Sequence, residues 1–385
     1  MASEGVAERL VGWVERIYQD RSSRYRVMLL LFPVYLTGLL YGLVMKIRAL
    51  GYRMQFFKSN SVSACVVSVG NLTVGGQGKT PVVMHLARKL MERGIEVSVV
   101  SRGYGFDVTG DYLVVADREG PVREPGDAPD EALLVAWRNQ GVSVVVSPNR
   151  VAAADIAVSR FASRVVLVDD GFQHLKLRRD LDILVADRTN QVGNGLVFPA
   201  GPLRESLGAA GRGDVLWLSG TMDEDTSVDA SPGPIERVCG DIPRVFSELV
   251  PESLVDGDGT EYPLRALEKK KVLAFCGIAR PKRFFDTLEE LGAIVVYTLP
   301  FRDHHRFSNN DYAVINHCAA RFGAEVVVTT EKDLMRITDH TLSHQLLAVR
   351  MGLRATGDEG LISLIESCAQ TYYESCKEEG GIPRS

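Results

Sequence analysis

No two of the six cysteines (Cys65, Cys239, Cys276, Cys318, Cys368, Cys376) stand close together in this 385-residue chain. Zinc knuckles and disulfide frameworks need closely spaced pairs, so neither is implied, and reduced thiols of the cytosol are the expectation. Charge of one sign is scarce too. The 44 basic and 49 acidic residues leave a net charge of −5, without the basic excess that nucleic-acid binding requires. There is also no internal repeat and no long low-complexity tract.

One stretch lacks charge altogether. Val27 to Met45 is dominated by Leu, Val, Met, Phe and Tyr, with Arg21, Arg24 and Arg26 before it and Lys46, Arg48 and Arg53 after it. A bilayer-spanning helix needs about 20 apolar residues, which this run only just supplies. Cations at both ends give no orientation by the positive-inside rule, and they suit an anionic surface. The late start and the missing small-residue cleavage site argue against a signal peptide. A buried core helix would share this composition. Membrane contact, spanning or surface-lying, is the preferred reading.

What is present begins with Gly70 to Pro81, Gly-Asn-Leu-Thr-Val-Gly-Gly-Gln-Gly-Lys-Thr-Pro, between the β-branched run Cys65 to Val69 and an amphipathic stretch, Val82 to Glu92. Strand, glycine loop and helix form the context of a phosphate-cradling P-loop. Amides of Thr73, Val74, Gly75, Gly76, Gln77, Gly78, Lys79 and Thr80 and the positive helix end would face the phosphates of ATP. Lys79 would reach the β- and γ-phosphates, and the Thr80 hydroxyl would hold Mg²⁺. The strict pattern wants glycine where Thr73 stands, and Gly75 and Gly76 offer backbone freedom instead. A merely flexible turn is the plainer alternative, but Gly-Lys-Thr between a strand and a helix disfavours it.

Strands and helices alternate onward from there. Val97–Ser101, Val142–Val146, Arg164–Val168, Leu181–Val185 and Asp214–Leu218 read as strands of a parallel sheet, with helices at Glu131–Asn139 and Arg150–Phe161. Further strands are expected at Lys271–Phe275, Ala293–Leu299, Glu325–Thr329 and Leu346–Val349. The expected fold is therefore α/β: a P-loop NTPase-like parallel-sheet domain (59–220), a Gly/Ser/Pro-rich linker (221–234) and a smaller α/β domain (235–376). A membrane-associating helical segment (1–58) precedes them and a disordered tail (377–385) follows.

A second acidic signal follows the strand Val165–Val168: Asp169-Asp170-Gly171-Phe172-Gln173-His174. In P-loop folds an apolar strand ending in Asp sets a carboxylate beside the nucleotide's Mg²⁺. Adjacent acids at a strand end are costly unless a cation neutralises them. A polar turn is the alternative; with the P-loop upstream, Asp169 is the first candidate ligand and Asp170 the second.

Six short tags occur in order: Asn71 to Pro81, Ser101-Arg102-Gly103-Tyr104, Asp169 to His174, Pro199-Ala200-Gly201-Pro202-Leu203-Arg204-Glu205, Phe301-Arg302-Asp303-His304-His305 and Thr330-Glu331-Lys332-Asp333. Together they make the chain resemble the tetraacyldisaccharide 4′-kinase family of lipid A synthesis, from the apolar segment to about residue 350. The resemblance implies ATP-dependent phosphorylation of the 4′-hydroxyl of an acylated glucosamine disaccharide 1-phosphate, giving lipid IVA, by an inner-membrane enzyme with its catalytic domain on the cytoplasmic face. It implies lipid-substrate roles for Tyr104, Arg150, Gln173 and Arg204, and a metal or supporting role for Glu205. The arginines would suit the sugar phosphate through their planar fork.

The family pattern also pairs an aspartate of a Gly-Asp-Glu stretch with a histidine. Here Asp127 follows the glycine and Asp130 precedes the glutamate and its Leu-Leu helix, so resemblance favours Asp130 while either could serve as a helix-start residue. His304 is its implied partner, with Asp303 beside it. Closure of the second domain over ATP is expected to bring His304 towards Asp130. His305 is an adjacent decoy, and Asp-His-His could alternatively open a metal site. Two other classes stay open: a membrane-associated GTPase switch, although Thr-Glu-Lys-Asp poorly approximates a guanine-selecting motif, and a non-catalytic lipid-binding assembly protein, which the intact Lys79, Thr80 and Asp169 disfavour.

Overall fold

A computed structural model describes residues 12–14, 16–20, 22–103, 106, 108, 110–221, 232–337 and 342–378. In chain order its strands are β1 (Cys65–Gly70), β2 (Val97–Ser101), β3 (Leu113–Asp117), β4 (Gly120–Pro121), β5 (Ser143–Val146), β6 (Val165–Asp169), β7 (Leu181–Asp187), β8 (Val215–Ser219), β9 (Arg244–Val255), β10 (Glu261–Tyr262), β11 (Lys271–Cys276), β12 (Ile294–Pro300), β13 (Val326–Thr330) and β14 (Leu346–Thr356). The chain forms two compact units, one from Met1–Arg102, Asn149–Glu248 and Ala355–Ser385, the other from Gly103–Pro148 and Leu249–Arg354. Residues 103–148, expected within 59–220, thus cluster with the later segment, and Ala355–Ser385 with the first unit. Most of the expected linker (222–231) and residues 379–385 lie outside the described residues, while 377 and 378 still belong to the helix Glu359–Glu378.

In the first unit β8, β7, β1, β6 and β2 pair side by side, all parallel, and the first residues of β9 join β8. β1 is buried at every residue, as a central parallel strand covered on both faces requires. The helix Lys79–Glu92 buries Val82, Val83, Leu86 and Leu90. The helix Glu359–Glu378 joins this unit through the buried His85–Asp358 pair (2.7 Å) and through Arg93, which binds Glu359 and Glu366. Cys65 and Cys368 form a disulfide there, against the expectation of reduced thiols; a sequence separation of 303 leaves no local trace of such a pair.

The second unit carries a parallel set, β12, β11, β13 and β14, and an antiparallel set in which β3 lies between β5 and β4. Leu273, Phe275, Ile315 and Val327 are fully buried in it.

The uncharged run does not form one helix from Val27. Leu31 breaks it between Ser23–Leu30 and Phe32–Arg53, where Pro33 occupies the first turn, the place proline tolerates. Phe32–Arg53 is long and apolar enough to cross a membrane, with mean hydropathy 1.3 and only 6% of its apolar window buried, which by itself is weak evidence of membrane association. Gly38 and Gly42 approach Val197 and Ala200, whereas Leu36, Leu39, Leu40, Leu43, Ile47 and Leu50 are exposed.

Candidate active site

The first cluster grows from the ends of β1 and β6. Gly70 closes β1 where a Cβ would meet Phe172 at 2.5 Å, so the turn after β6 packs against bare backbone. Gly78 takes φ 76° and hands the chain to the helix Lys79–Glu92, a conformation glycine adopts without strain. Val74 N–H donates to Pro202 and Arg204 N–H to Leu72, tying the loop to the segment Pro199–Glu205.

Lys79 Nζ donates to Asn71 Oδ1 (3.1 Å) and stands 3.3 Å from Asp170. Thr80 Oγ1 donates to Asp169 Oδ2 at 3.0 Å across a separation of 89 residues. Arg204 Nη1 meets both oxygens of Asp170 at 2.8 Å and Gln173 Oε1 at 3.4 Å; Gln173 Nε2 in turn donates to the Asn71 carbonyl. Arg150, only 7% exposed, donates to the Asp170 carbonyl at 3.4 Å. Burial works to raise the Asp170 carboxyl, but Lys79 and Arg204 outweigh it and hold it below the ordinary range. Burial lowers the Arg150 guanidinium, with Arg102 and Arg204 adding repulsion that Asp170 and Asp169 oppose. Asp170 itself sits at φ 55°, a strained geometry for a residue with a side chain.

The structure therefore brings Lys79, Thr80, Asp169, Asp170, Arg150, Gln173 and Arg204 together. Tyr104 lies outside the described residues. Glu205 is 3% exposed, and both its oxygens bind Arg212 at 2.8 Å. Asp170 is likewise engaged, by two cations. Thr80 and Asp169 supply the hard oxygens that suit Mg²⁺.

The second cluster lies within the other unit. His304 Nδ1 is 3.2 Å from Asp130 Oδ2, and Arg336 Nε donates to the same oxygen at 2.8 Å, with its Nη2 in contact as well. Lys332 binds Glu131 at 3.2 Å and stands 3.4 Å from His304 Nε2. Burial works to raise the Asp130 carboxyl, yet the His304 hydrogen bond, Arg336 and Lys332 push it well below the carboxylate range. His304 adopts φ 59°, held by its N–H donating to the Gly277 carbonyl (3.2 Å) and to Asp303 Oδ1 (3.1 Å). Residues 103–148 belong to the same unit as 249–354, so the Asp130–His304 pair forms without the closure expected to create it.

Asp130, at the start of the helix Asp130–Arg138, is the partner; Asp127 sits exposed in the preceding turn. His305 is separate: it bonds Asp311 at 3.1 Å and stacks on Phe301 with centroids 4.8 Å apart. Among the described residues the one cluster of metal-type side chains is Cys65, Asp180 and Cys368, so Asp-His-His builds no metal site. Asp333, at the strand end, is fully buried between the Gly277 N–H, Thr330 and Arg336. Sequence reasoning missed Asn71, Arg212 and Arg336. Asn71 lay inside the glycine motif, whereas Arg336 is 206 residues from Asp130 and carried no local signal.

A strand–loop–helix cradle with its lysine, a Thr–Asp oxygen pair and a carboxylate–imidazole dyad defines a P-loop phosphotransferase. The chain belongs to the LpxK family, tetraacyldisaccharide-1-P 4′-kinase, whose family model matches residues 28–370. It is 38% identical over 329 residues to the tetraacyldisaccharide 4′-kinase of Pelobacter propionicus, covering 85% of this chain and 87% of that one. It is 41% identical over 276 residues to that of Anaeromyxobacter dehalogenans, covering 71% and 72%. A crystal structure of LpxK from Aquifex aeolicus in complex with ATP superposes with a TM-score of 0.72 at 29% identity, covering 90% of this chain and 99% of that one.

Proposed function

We propose that this enzyme transfers the γ-phosphoryl group of ATP to the 4′-hydroxyl of a tetraacylated glucosamine disaccharide 1-phosphate, the lipid IVA-forming step of lipid A synthesis. The observation that carries this reading is the Lys79–Asp170–Asn71 and Thr80–Asp169 cluster in a chain matched to the family over residues 28–370. The hydroxyl oxygen attacks phosphorus, the bond to the β-phosphate oxygen breaks, ADP leaves and the hydroxyl proton must be taken up.

Phosphoryl transfer is mainly positioning and charge stabilisation, which sets the role of each residue. Loop amides and Lys79 bind the phosphates, Lys79 exchanging Asp170 for phosphate oxygens. Thr80 and Asp169 would hold Mg²⁺, which when bound neutralises charge on the phosphates. Asp130, ion-paired and well below the usual range, is a poor proton acceptor alone. The more exposed His304 imidazole takes the proton at Nε2, and Asp130 steadies the resulting imidazolium through Nδ1. Asp303 fixes the His304 backbone. Arg150, Arg204 and Gln173 engage the phosphate-bearing sugar of the lipid, and the exposed stripe of Phe32–Arg53 rests in the inner membrane, with the catalytic part on the cytoplasmic face. The GTPase-switch and assembly readings are not favoured by a kinase family match.

The test incubates the full chain, Mg²⁺ and γ-labelled ATP with a monophosphorylated acyl-disaccharide in detergent, beside Lys79→Ala. Label on the 4′ position that disappears in the variant is the expected result. Nucleotide binding with no label on lipid would overturn the kinase reading.

A further inference from the structure

We infer that Arg336 is the positioning residue of the Asp130–His304 dyad, a role that rests on the dyad reading above. Its side chain is 6% exposed, and an arginine so buried is costly unless paired and hydrogen-bonded. It is paired at both ends. Nε and Nη2 converge on Asp130 Oδ2, while Nη1 donates to Asp333 Oδ1 and to the Gly277 carbonyl, each at 2.9 Å.

Asp333 is a fixed anchor. It is fully buried, receives the Gly277 N–H (3.1 Å) and the Thr330 hydroxyl (2.6 Å), and caps the short helix Glu331–Leu334. Gly277 also accepts the N–H of His304, so the loop after β11 touches both the histidine and the arginine that holds its partner. A Cβ at Gly277 would lie 2.9 Å from the Arg302 carbonyl, so this loop has little room to shift. Two donors of one planar fork fix the place of Oδ2, the same oxygen that faces His304 Nδ1. That leaves Asp130 aimed at His304 Nδ1 before any substrate arrives. Arg336 touches neither phosphate nor hydroxyl in this scheme; it acts through the dyad, gripping Asp130 while its Nη2 stands 3.3 Å from His304 Nδ1.

The experiment measures kcat and KM on the full enzyme for Arg336→Ala, Asp130→Asn and the double variant, together with Arg336→Lys and added guanidinium. Arg336→Ala should lower kcat about 10- to 100-fold with KM for ATP changed less than about 2-fold, and guanidinium should restore part of it. In the Asp130→Asn background the same change should cost almost nothing, because the residues act as one unit. Should Arg336→Ala not fold, Arg336→Lys carries the same comparison, since lysine keeps the charge and loses the fork. Additive losses, or an unchanged kcat in a folded Arg336 variant while Asp130→Asn is impaired, would overturn the proposal. If Asp130→Asn and His304→Ala both turn over normally, the dyad reading itself has failed, a result separable from the Arg336 comparison.

Discussion

Lys79 and Arg336 are both largely buried cations set against an aspartate, and the way each is held differs. Lys79 meets Asp170 as a point charge at 3.3 Å, and that carboxylate is 35% exposed. Arg336 grips Asp130, 11% exposed, with two nitrogens and is itself tied to a second carboxylate and a backbone carbonyl. On the proposed function the first arrangement is exchangeable: phosphate oxygens would replace Asp170 on Lys79 when nucleotide binds. The second is a strut with no partner to give up. A nucleotide site needs cations it can lend, and an acid–base site needs a geometry it can keep.

That contrast is open to attack at several points. The greatest loss is expected in the fixed cluster, where Asp130→Asn or His304→Ala should each lower kcat by about 10²- to 10⁴-fold at saturating ATP. Near wild-type rates in both would leave the dyad without a role. In the exchangeable cluster, Asp170→Asn should tighten metal-free ATP about 3- to 10-fold by removing a negative charge near the phosphates, read by calorimetry. Unchanged or weaker binding would show that Asp170 is no placeholder.

Glu205→Gln should cost about 1–2 kcal/mol of stability in denaturant unfolding by stranding Arg212, with the Mg²⁺ dependence of turnover untouched. A raised Mg²⁺ requirement would assign Glu205 to the metal.

A pH-dependent effect concerns His174, half-buried and pulled down to about 4 by burial and then by Arg150, Arg48, Arg179 and Lys176. Its folded value lies below its unfolded one of 6.5, so the unfolded chain binds the extra proton between them. Stability should thus fall as pH drops from about 6.5 to about 4 and level off below, and His174→Gln should flatten that part of the unfolding profile. An identical slope in the variant would place the proton elsewhere.

The exchangeable cluster was legible because its parts sit in short contiguous motifs. Gly-Lys-Thr, the β-branched run before it and the Asp-Asp at the end of β6 each declare a strand end, and parallel pairing puts strand ends side by side. The fixed cluster was legible only through resemblance, since Asp130 and His304 carry no spacing that physics links. Arg336 escaped even that. β9 was missed because Glu248, Pro251 and Glu252 interrupt its apolar alternation, and its middle is only partly covered. β3 was missed because it is a short strand running antiparallel to β5 in a chain otherwise read as parallel. The unit boundary escaped because grouping of distant segments is a property of contacts, which local composition does not encode.

The composition of the first unit has a consequence for how the enzyme is made. Its three segments are separated by stretches that belong elsewhere, and the last of them brings Asp358, Glu359 and Glu366 to side chains of the helix Lys79–Glu92 and its C-terminal cap. A ribosome releases those partners only after the second unit's segments that lie between. His85, 6% exposed in the finished protein, therefore meets the Asp358 carboxylate only after a separation of 273 residues has been synthesised. The first unit is thus begun before the second and completed after it, so nascent chains stalled before Ala355–Ser385 should be ones that chaperones and proteases see as unfinished.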